Sequence, residues 1–289
     1  MTASVLDGAA MARAVLAELK DRVALLAQRG VTPGLATVLV GDNPASQVYV
    51  RNKARACSEI GMHAFVHELH AGVDEAEVLS KVAALNADAA IHGIIVQLPL
   101  PRGLDSQRIL QSIAIDKDVD GFNWANLGAI VDGPPQLAPC TPLGVVDMLD
   151  RAGVALEGRH AVVVGRSSIV GKPLALMLIA RGATVTVCNS KTPDLAVVTR
   201  MADILVAAAG RPRLITADMV KPGAIVIDVG INRLPDGKLV GDVDYEAVSA
   251  RVGAISPVPG GVGRMTVAML VANTVTAAEK LTATISKGV

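Results

Sequence analysis

Four polar residues in the first half of the sequence are of types that bind ligands or move protons. Tyr49 and Lys53 are four residues apart, so on a helix their side chains share one face. Gln97 ends an apolar run, and Asp120 precedes a glycine in a polar segment. A phenol, an amine, an amide and a carboxylate can together hydrogen-bond a polar ligand and exchange protons with it.

Each of these residues also has a purely structural interpretation. Tyr49 and Lys53 could lie on a surface helix with their polar tips in water. Gln97 could be a polar strand terminus, although the carboxyl end of an apolar strand is also where α/β proteins bind ligands. Asp120 could belong to an Asp-Gly turn. Spacing alone does not join the four into one site.

The stretch from Val162 to Pro173 has the pattern of a strand, a turn and a helix. An apolar run ends at Gly165, and Gly171 opens the predicted helix. Such a turn can direct backbone amides and a helix dipole at a phosphate. A dinucleotide fingerprint has another glycine two residues after the first, where Ser167 stands here. Both a phosphate loop and an ordinary strand-to-helix turn fit the glycines.

The end of the next predicted strand favours NADP. NAD-binding units usually carry a carboxylate there to hold the ribose diol. This strand ends in Val187-Cys-Asn-Ser-Lys191, which has none. Arg166 and Ser190 could instead bind a ribose phosphate, because arginine pairs with phosphate through two parallel hydrogen bonds.

The composition excludes several classes of partner. Lys and Arg number 27, as do Asp and Glu, so no basic field is available for nucleic acid or anionic lipid. No apolar stretch reaches membrane-spanning length without a charge or a helix breaker, and the N-terminus has no signal-peptide pattern. The three cysteines are widely spaced. We therefore expect a cytoplasmic enzyme without membrane or nucleic-acid partners.

The elements that must position these residues alternate between strands and helices. In the first half, helical spacing includes Val15–Leu26 and Val73–Leu85, with a mixed helix ending near Ile60. The strands predicted there are 35–40, 65–69 and 93–97. This alternation predicts an α/β fold with a parallel sheet covered by helices.

A polar interval rich in Gly and Pro, from Asp116 to Pro142, is the predicted boundary between two domains. Four apolar strands follow it, at 161–164, 184–188, 204–208 and 225–228. They predict a doubly wound parallel sheet of the Rossmann-like, nucleotide-binding kind. A final apolar helix runs from about Thr266 toward Lys280.

Three histidines in the first half could suggest a metal site. If the segment is a strand, His63 and His67 share a face and His70 points away. We therefore predict no metal.

Six sequence blocks occur in an order that is specific to one known family. They are Tyr49-x3-Lys53, Val96-Gln-Leu-Pro-Leu-Pro101, Lys117-Asp-Val-Asp-Gly121, Pro139-Cys-Thr-Pro142, Gly165-Arg-Ser and Pro257-Val-Pro-Gly-Gly-Val-Gly263. Over nearly its whole length the chain resembles the bifunctional methylenetetrahydrofolate dehydrogenase/methenyltetrahydrofolate cyclohydrolase family. The resemblance implies two domains flanking a cleft, NADP as cofactor and a homodimer. Residues 1–120 and 270–289 would form the folate-binding catalytic domain, 140–269 the NADP-binding Rossmann-like domain, and 121–139 a connecting segment.

The resemblance also implies roles for individual residues. Tyr49 would stack on the folate, Lys53 and Gln97 would serve the chemistry, and Asp120 would bind the pterin. Further substrate contacts would come from Ser46, Leu98, Pro259, Gly260 and Gly261, and cofactor contacts from Gly165, Arg166, Ser167, Ser190 and Ile231. An ordinary lysine is almost entirely protonated near pH 7, so burial would have to lower its pKa, and an amide such as Gln97 could orient it.

The sequence departs from the family pattern at three places. Asn123-Trp124 replaces the usual His-Pro, Arg264 stands in place of a proline, and Asn189 replaces a histidine. The first two flank the expected substrate region, so they bear on affinity for the folate more than on the reaction.

Two other functions fit parts of the sequence. A different two-domain NADP reductase acting on a small acid would not need the set of Tyr49, Lys53 and Gln97. A nucleotide-sensing protein could keep the fold without the chemistry; Trp124 and Arg264 favour that reading, and an intact Lys53 opposes it.

Overall fold

The computed structural model describes residues 3–133 and 135–285. Internal contacts divide the chain into two compact units. The six-stranded unit comprises Met1–Ala12 and Thr141–Thr266, and the three-stranded unit comprises Arg13–Cys140 and Val267–Val289. Both are α/β.

The strands, in chain order, are β1 (Ser4–Val5), β2 (Gly34–Val40), β3 (His63–Leu69), β4 (Gly93–Val96), β5 (His160–Val164), β6 (Thr184–Cys188), β7 (Ile204–Ala207), β8 (Ile225–Asp228), β9 (Asn232–Arg233), β10 (Leu239–Val240) and β11 (Ala254–Ile255). The α-helices are α1 (Gly8–Gln28), α2 (Pro44–Glu59), α3 (Glu75–Ala87), α4 (Ser106–Gln111), α5 (Trp124–Asp132), α6 (Cys140–Arg151), α7 (Gly171–Ala180), α8 (Leu195–Thr199), α9 (Tyr245–Ser249) and α10 (Val262–Ile285). The predicted strands and long helices are therefore present, although α1 begins at Gly8, before the predicted Val15.

The six-stranded sheet has the order β1-β11-β8-β7-β5-β6, and every pairing in it is parallel. The chain leaves β5 for β6 on one side and then returns to β7 on the other. This reversal is a topological switch point, and a doubly wound sheet binds its ligand outside the carboxyl ends of the two strands there. The predicted Rossmann-like sheet is confirmed.

The N-terminal segment pairs with the six-stranded sheet. The sequence places residues 1–120 together, but β1 pairs with β11, with Ser4 opposite Ala254. The described residues up to Ala12 therefore lie in the six-stranded unit. Each of these two strands is only two residues long, which is too short to leave a hydrophobic period in the sequence.

The three-stranded sheet has the order β3-β2-β4 and is also parallel. All seven residues of its central strand, β2, are buried. The backbone N–H of Gln97 donates to the carbonyl of Val38 at 2.9 Å, which extends the pairing of β4 by one residue. Gln97 is thereby fixed at the carboxyl edge of the sheet.

The predicted connecting segment 121–139 contains a helix that the sequence analysis missed. Asn123 caps α5, and its side-chain oxygen accepts from the N–H of Ala125 at 3.0 Å. The surrounding glycines and prolines made the segment look irregular. A polar cap and two buried side chains, Asn126 and Ile130, are enough to hold two turns of helix in tertiary contact.

No helix within the described residues is both long enough and apolar enough to cross a membrane.

Candidate active site

Helix α2 carries Tyr49 and Lys53 in the three-stranded unit. Asn43 caps this helix, and its side-chain oxygen accepts from the N–H groups of Ala45 and Ser46 at 2.9 and 3.2 Å. Lys53 is partly buried, whereas Tyr49 is 37% exposed, with its ring available to a ligand. Ser46, at the start of the helix, is buried.

Lys53 and Gln97 are hydrogen-bonded to each other. The Lys53 Nζ donates to Gln97 Oε1 at 3.0 Å, and Gln97 Nε2 donates to the carbonyl of Leu98 at 2.7 Å. The amide is therefore held at both ends, so its oxygen can only face the lysine. A helix and a strand end that are 44 residues apart in sequence thus supply one fixed amine.

Asp120 lies in the electrostatic field of the same lysine. Burial raises the pKa of the Asp120 carboxyl above its ordinary value, the positive charge of Lys53 opposes this rise, and the negative charge of Asp118 adds to it. Among the described residues, no hydrogen-bond donor to the Asp120 carboxylate is found. A partly buried carboxylate without a protein partner is suited to bind polar N–H groups of a ligand.

The neighbours of Asp120 in sequence hold it in place. Lys117 is buried, and its Nζ donates to the backbone carbonyls of Asn86 and Asp88 at 2.8 and 2.7 Å, at the end of α3. Asp118 is also buried and accepts from the N–H of Asn123 at 2.7 Å. Burial lowers the pKa of Lys117 and raises that of Asp118.

Gly121 is required by its conformation and by its packing. Its φ is +72°, and a Cβ at this position would lie 2.5 Å from the backbone nitrogen of Pro139. Any other residue would push apart the two backbone segments that meet here.

Asn273 on α10 joins those two segments, and the sequence analysis did not identify it. Its Nδ2 donates to the carbonyls of Val119 and Ala138, both at 2.8 Å. Cys140 donates from its Sγ to the same Val119 carbonyl at 3.1 Å. All three cysteines are free and buried, and Cys140 also ties the backbone next to Asp120.

The Asn123-Trp124 departure has one buried residue, Asn123, and one exposed residue, Trp124. Asn123 caps α5, and the N–H of Trp124 donates to Gln111 Oε1 at 2.8 Å. The Trp124 residue is 61% exposed, so the structure of this unit does not need its ring for packing. The substitution changes the surface close in sequence to Asp120 and leaves the fold around it intact.

In the six-stranded unit, Gly165 lies at the topological switch point. It follows β5, its N–H donates to the carbonyl of Cys188 at 2.9 Å, and a Cβ on it would collide with the Ala208 carbonyl beyond β7. A Cβ on Gly171 would likewise collide with the Gly165 carbonyl. Both glycines therefore serve close packing of strand, loop and helix.

The free backbone amides near these glycines lie in the loop of residues 166–169 and not in the first turn of α7. The first N–H groups of α7 are already used, because the Ser167 side chain accepts from Gly171 and its carbonyl accepts from Lys172. Within the described part of the chain, the backbone N–H groups of residues 166–169 make no hydrogen bond. Four loop amides and the exposed Arg166 side chain are thus the donors available to a phosphate, and Ser167, in place of the missing glycine, accepts from the N–H of Gly171.

The end of β6 lies beside this loop and fits a phosphorylated ribose. Ser190 is exposed, and Asn189 folds the turn by accepting from the N–H of Lys191 at 2.9 Å. No carboxylate occurs in residues 189–191. Arg166 and Ser190 therefore follow two neighbouring strands, β5 and β6, at the carboxyl edge of the sheet.

The remaining predicted contact residues lie in loops of the same unit. Ile231 follows β8 and is 45% exposed. Pro259 is exposed, Gly261 is buried, and the carbonyl of Gly260 accepts from the N–H of Ala9 at 2.9 Å. The loop that contains both glycines is therefore fixed to the start of α1. Arg264 is exposed in the first turn of α10.

Among the described residues, no group of three or more His, Cys, Asp and Glu side chains could hold a metal ion. Of the three histidines considered above, His67 has a buried Nε2 without a partner, and burial lowers its pKa.

Comparison with known families accounts for both units. Residues 6–120 match the catalytic domain of tetrahydrofolate dehydrogenase/cyclohydrolase, and residues 139–282 match the NAD(P)-binding domain of the same family. The chain belongs to the tetrahydrofolate dehydrogenase/cyclohydrolase family. The family resemblance given by the sequence blocks is thus confirmed.

Individual relatives agree along nearly the whole chain. The bifunctional protein FolD of Nitrosospira multiformis is 59% identical over 280 residues, which cover 97% of each chain. A crystal structure of bifunctional FolD from Campylobacter jejuni superposes with a TM-score of 0.94 at 50% identity, covering 96% of this chain and 99% of that one. The Trypanosoma brucei enzyme, complexed with NADP and an inhibitor, has a TM-score of 0.94 at 41% identity, covering 98% and 99%.

Proposed function

We propose that this protein oxidises 5,10-methylenetetrahydrofolate to 5,10-methenyltetrahydrofolate with NADP and hydrolyses the product to 10-formyltetrahydrofolate. The observation that carries the proposal is the hydrogen bond of 3.0 Å between Lys53 Nζ and Gln97 Oε1. It fixes an amine in the unit that matches the catalytic domain of the family. The free amides of the loop after β5 support NADP as the cofactor.

The two reactions make different demands on the protein. When NADP is bound, its nicotinamide accepts a hydride from the methylene carbon of the folate, which leaves a methenyl cation. Hydrolysis adds water to that carbon, releases one proton and breaks the bond from the carbon to N5. Only the hydrolysis requires a base beside an attacking water.

The roles proposed for the side chains follow from their surroundings. Lys53, oriented by Gln97, accepts the proton of the attacking water or stabilises the charge that develops on its oxygen. Asp120 binds the N–H groups of the pterin, because its carboxylate has no protein donor within the described residues. The exposed ring of Tyr49, one turn before Lys53, stacks on the folate.

The loops of the six-stranded unit are proposed to hold the cofactor. Arg166 and Ser190 bind the ribose phosphate, and the amides of residues 166–169 bind the pyrophosphate. Gly165, Ser167 and Ile231 complete this site, and Pro259, Gly260 and Gly261 contact the substrate.

One assay tests the whole proposal. The purified protein is supplied with methylenetetrahydrofolate and NADP, and the methenyl absorbance band is followed together with the absorbance of NADPH. The proposal predicts formation of NADPH, and separately the enzymatic decay of added methenyltetrahydrofolate. A protein that binds NADP but performs neither reaction would be a nucleotide sensor instead.

We further propose a cytoplasmic homodimer without a nucleic-acid partner. The equal numbers of acidic and basic residues argue against nucleic acid, and three free buried thiols suit a reducing compartment. Strand β6 forms one edge of the six-stranded sheet, and Val187 on it is 40% exposed. An uncovered edge strand with an apolar side chain can pair with a second copy of the same strand.

The dimer proposal is tested by Val187→Lys. A lysine on the edge strand would oppose pairing between two copies. Light scattering coupled to gel filtration should show a dimer for the wild type and a concentration-dependent shift toward monomer for the variant. A wild-type monomer at high concentration would refute the proposal.

A further inference from the structure

A second acidic centre, built on Asp242, lies in the six-stranded unit. Asp242 is fully buried, and its carboxylate accepts four hydrogen bonds. Oδ2 accepts from the N–H groups of Ala209 and Gly210 at 2.6 and 2.8 Å, and Oδ1 accepts from the N–H of Arg211 and from Asn232 Nδ2, both at 2.8 Å. Four donors saturate the acceptor capacity of one carboxylate.

Three of these donors lie in the loop that follows β7, and the fourth, Asn232, opens β9 directly after the loop that follows β8. The β7 loop abuts Gly165, because a Cβ on that glycine would collide with the Ala208 carbonyl. Asn232 follows Ile231, the last residue of the loop after β8. One buried carboxylate therefore sets the relative position of two loops at the carboxyl edge of the sheet, where a doubly wound fold binds its dinucleotide.

The arrangement also determines which polar groups the β7 loop can offer to a ligand. Three successive N–H groups, of residues 209–211, point inward to Asp242. In the described chain, the carbonyls of Ala208, Ala209 and Gly210 accept no hydrogen bond. The β7 loop thus presents acceptors, whereas the β5 loop presents donors, so the two sides of the switch point have opposite polarity.

Asp242 is itself held by a second buried carboxylate. Asp228, at the end of β8, accepts from the N–H groups of Gly230 and Asp242 at 2.9 Å and from that of Val243 at 3.0 Å. The Asp228 N–H donates to Ser256 Oγ at 2.8 Å. The segment that carries Asp242 is therefore anchored to the end of a central strand.

We propose that Asp242 is a positioning residue for the NADP-dependent step: it holds the β7 and β8 loops in the geometry in which the β7 loop accepts hydrogen bonds from the cofactor. The inference rests on the proposed function. It predicts a selective effect, because hydride transfer uses these loops and hydrolysis of the methenyl cation does not.

Asp242→Asn tests the proposal. An asparagine keeps the volume but replaces one acceptor oxygen by an NH₂ group that faces loop N–H donors. We expect kcat/KM for NADP in the dehydrogenase reaction to fall about tenfold or more, and hydrolysis of added methenyltetrahydrofolate to stay within about twofold. Asp244→Asn is the matched control: Asp244 precedes α9 without a side-chain cap hydrogen bond, so both activities should be unchanged.

Hydrogen exchange distinguishes positioning from general loss of structure. In Asp242→Asn, the amides of residues 209–211 should lose protection while those of β5 keep it. If the variant does not fold, Asn232→Ala replaces it, because this change removes one donor to Asp242 and leaves the loop amides in place; its dehydrogenase should fall about fivefold with normal hydrolysis.

The outcomes separate this inference from the proposed function. A wild-type protein without dehydrogenase activity would refute the proposed function. Equal losses of both activities, or an unchanged dehydrogenase in both variants, would overturn the role of Asp242 while the proposed function stands.

Discussion

Replacing Lys53 by methionine should separate the two proposed activities. Methionine keeps the unbranched stem and has a helix propensity close to that of lysine, so α2 should form normally. The structure shows one hydrogen bond at stake, from Lys53 Nζ to Gln97 Oε1, on a partly buried side chain. We therefore expect a loss of only about 1 kcal/mol in the free energy of unfolding.

The effect on catalysis should be much larger than the effect on stability. A positioned acid or base contributes about a hundredfold to ten-thousandfold, so hydrolysis of methenyltetrahydrofolate should fall by at least about a hundredfold. The dehydrogenase should fall less, because hydride transfer needs no base at a water. Supplied with methylenetetrahydrofolate and NADP, the variant should accumulate the methenyl compound.

The same variant should change the pH dependence of folate binding. The positive charge of Lys53 opposes the rise in the pKa of Asp120 that burial causes. Without that charge, the Asp120 pKa rises further, and the carboxylate is protonated at higher pH. As the pH is lowered, the KM for methylenetetrahydrofolate should therefore begin to increase earlier, at a higher pH, in the variant than in the wild type.

Arg55→Met provides the matched control on the same helix. Arg55 is exposed and lies two residues beyond Lys53, about 200° around the helix axis. It should leave both reactions unchanged. Near-normal hydrolysis by Lys53→Met would remove this lysine from the mechanism and would direct attention to Asp120.

Two further predictions concern the six-stranded unit. Arg166→Ala should raise the KM for NADP about tenfold or more and change the use of NAD much less, since a charged hydrogen bond contributes about 1.5–3 kcal/mol. Arg159→Ala, before β5 at the opposite edge of the sheet, is the control. Equal losses of activity with both cofactors would contradict the assignment of Arg166 to the ribose phosphate. Burial raises the pKa of Asp228 to about 6, from 3.8. The stability that the protonated Asp228 carboxyl contributes is fully present below pH 3.8 and is lost as pH rises through about 6. The free energy of unfolding should fall by about 3 kcal/mol over this range. Asp228→Asn should lower the free energy of unfolding by about 1–3 kcal/mol, because the N–H of Val243 then faces an amide. In urea titrations at several pH values, the variant should also show a weaker dependence of the unfolding free energy on pH. An unchanged dependence would show that Asp228 does not cause it.

The parts of the fold that sequence could predict are those with a repeated physical pattern. Strands such as β5 and β7 are runs of buried apolar residues, and α1 has an apolar stripe at helical spacing that ends before Gly30. These patterns exist because one face, or the whole element, must be buried. The pairing of β1 with β11 leaves no such pattern.

The residues of the candidate site also divide into those that the sequence predicts and those that it does not. The hydrogen bond between Lys53 and Gln97 was expected on the family resemblance and on the chemistry of an amine beside an amide. Asn273 and Asp242 were not expected, because their partners are backbone groups of distant loops. Asn273 bonds to carbonyls more than 130 residues away, and a backbone group carries no mark in the sequence.

The tripeptide Asp-Val-Asp occurs twice and has a similar local structure in both places. In residues 118–120 and in residues 242–244, the first aspartate is buried and accepts backbone N–H groups, and the valine is buried in the core. In neither case does the described structure give the second aspartate a side-chain hydrogen bond. The tripeptide therefore has the same arrangement in both places. Its first aspartate, the inner one, fixes a loop, and its second aspartate, the outer one, has no side-chain hydrogen bond within the described residues.

What differs between the two copies is the charge nearby. The positive charge of Lys53 opposes the rise in the pKa of Asp120 that burial causes. A carboxylate becomes a candidate for substrate binding when a cation and an unfilled hydrogen-bonding capacity coincide, and both conditions arise from the fold. The inner aspartates carry no such signal, yet they fix the loops on which the proposed folate and NADP contacts depend. For that reason we expect substitutions at Asp118 and Asp242 to impair function through loop geometry, each in its own unit.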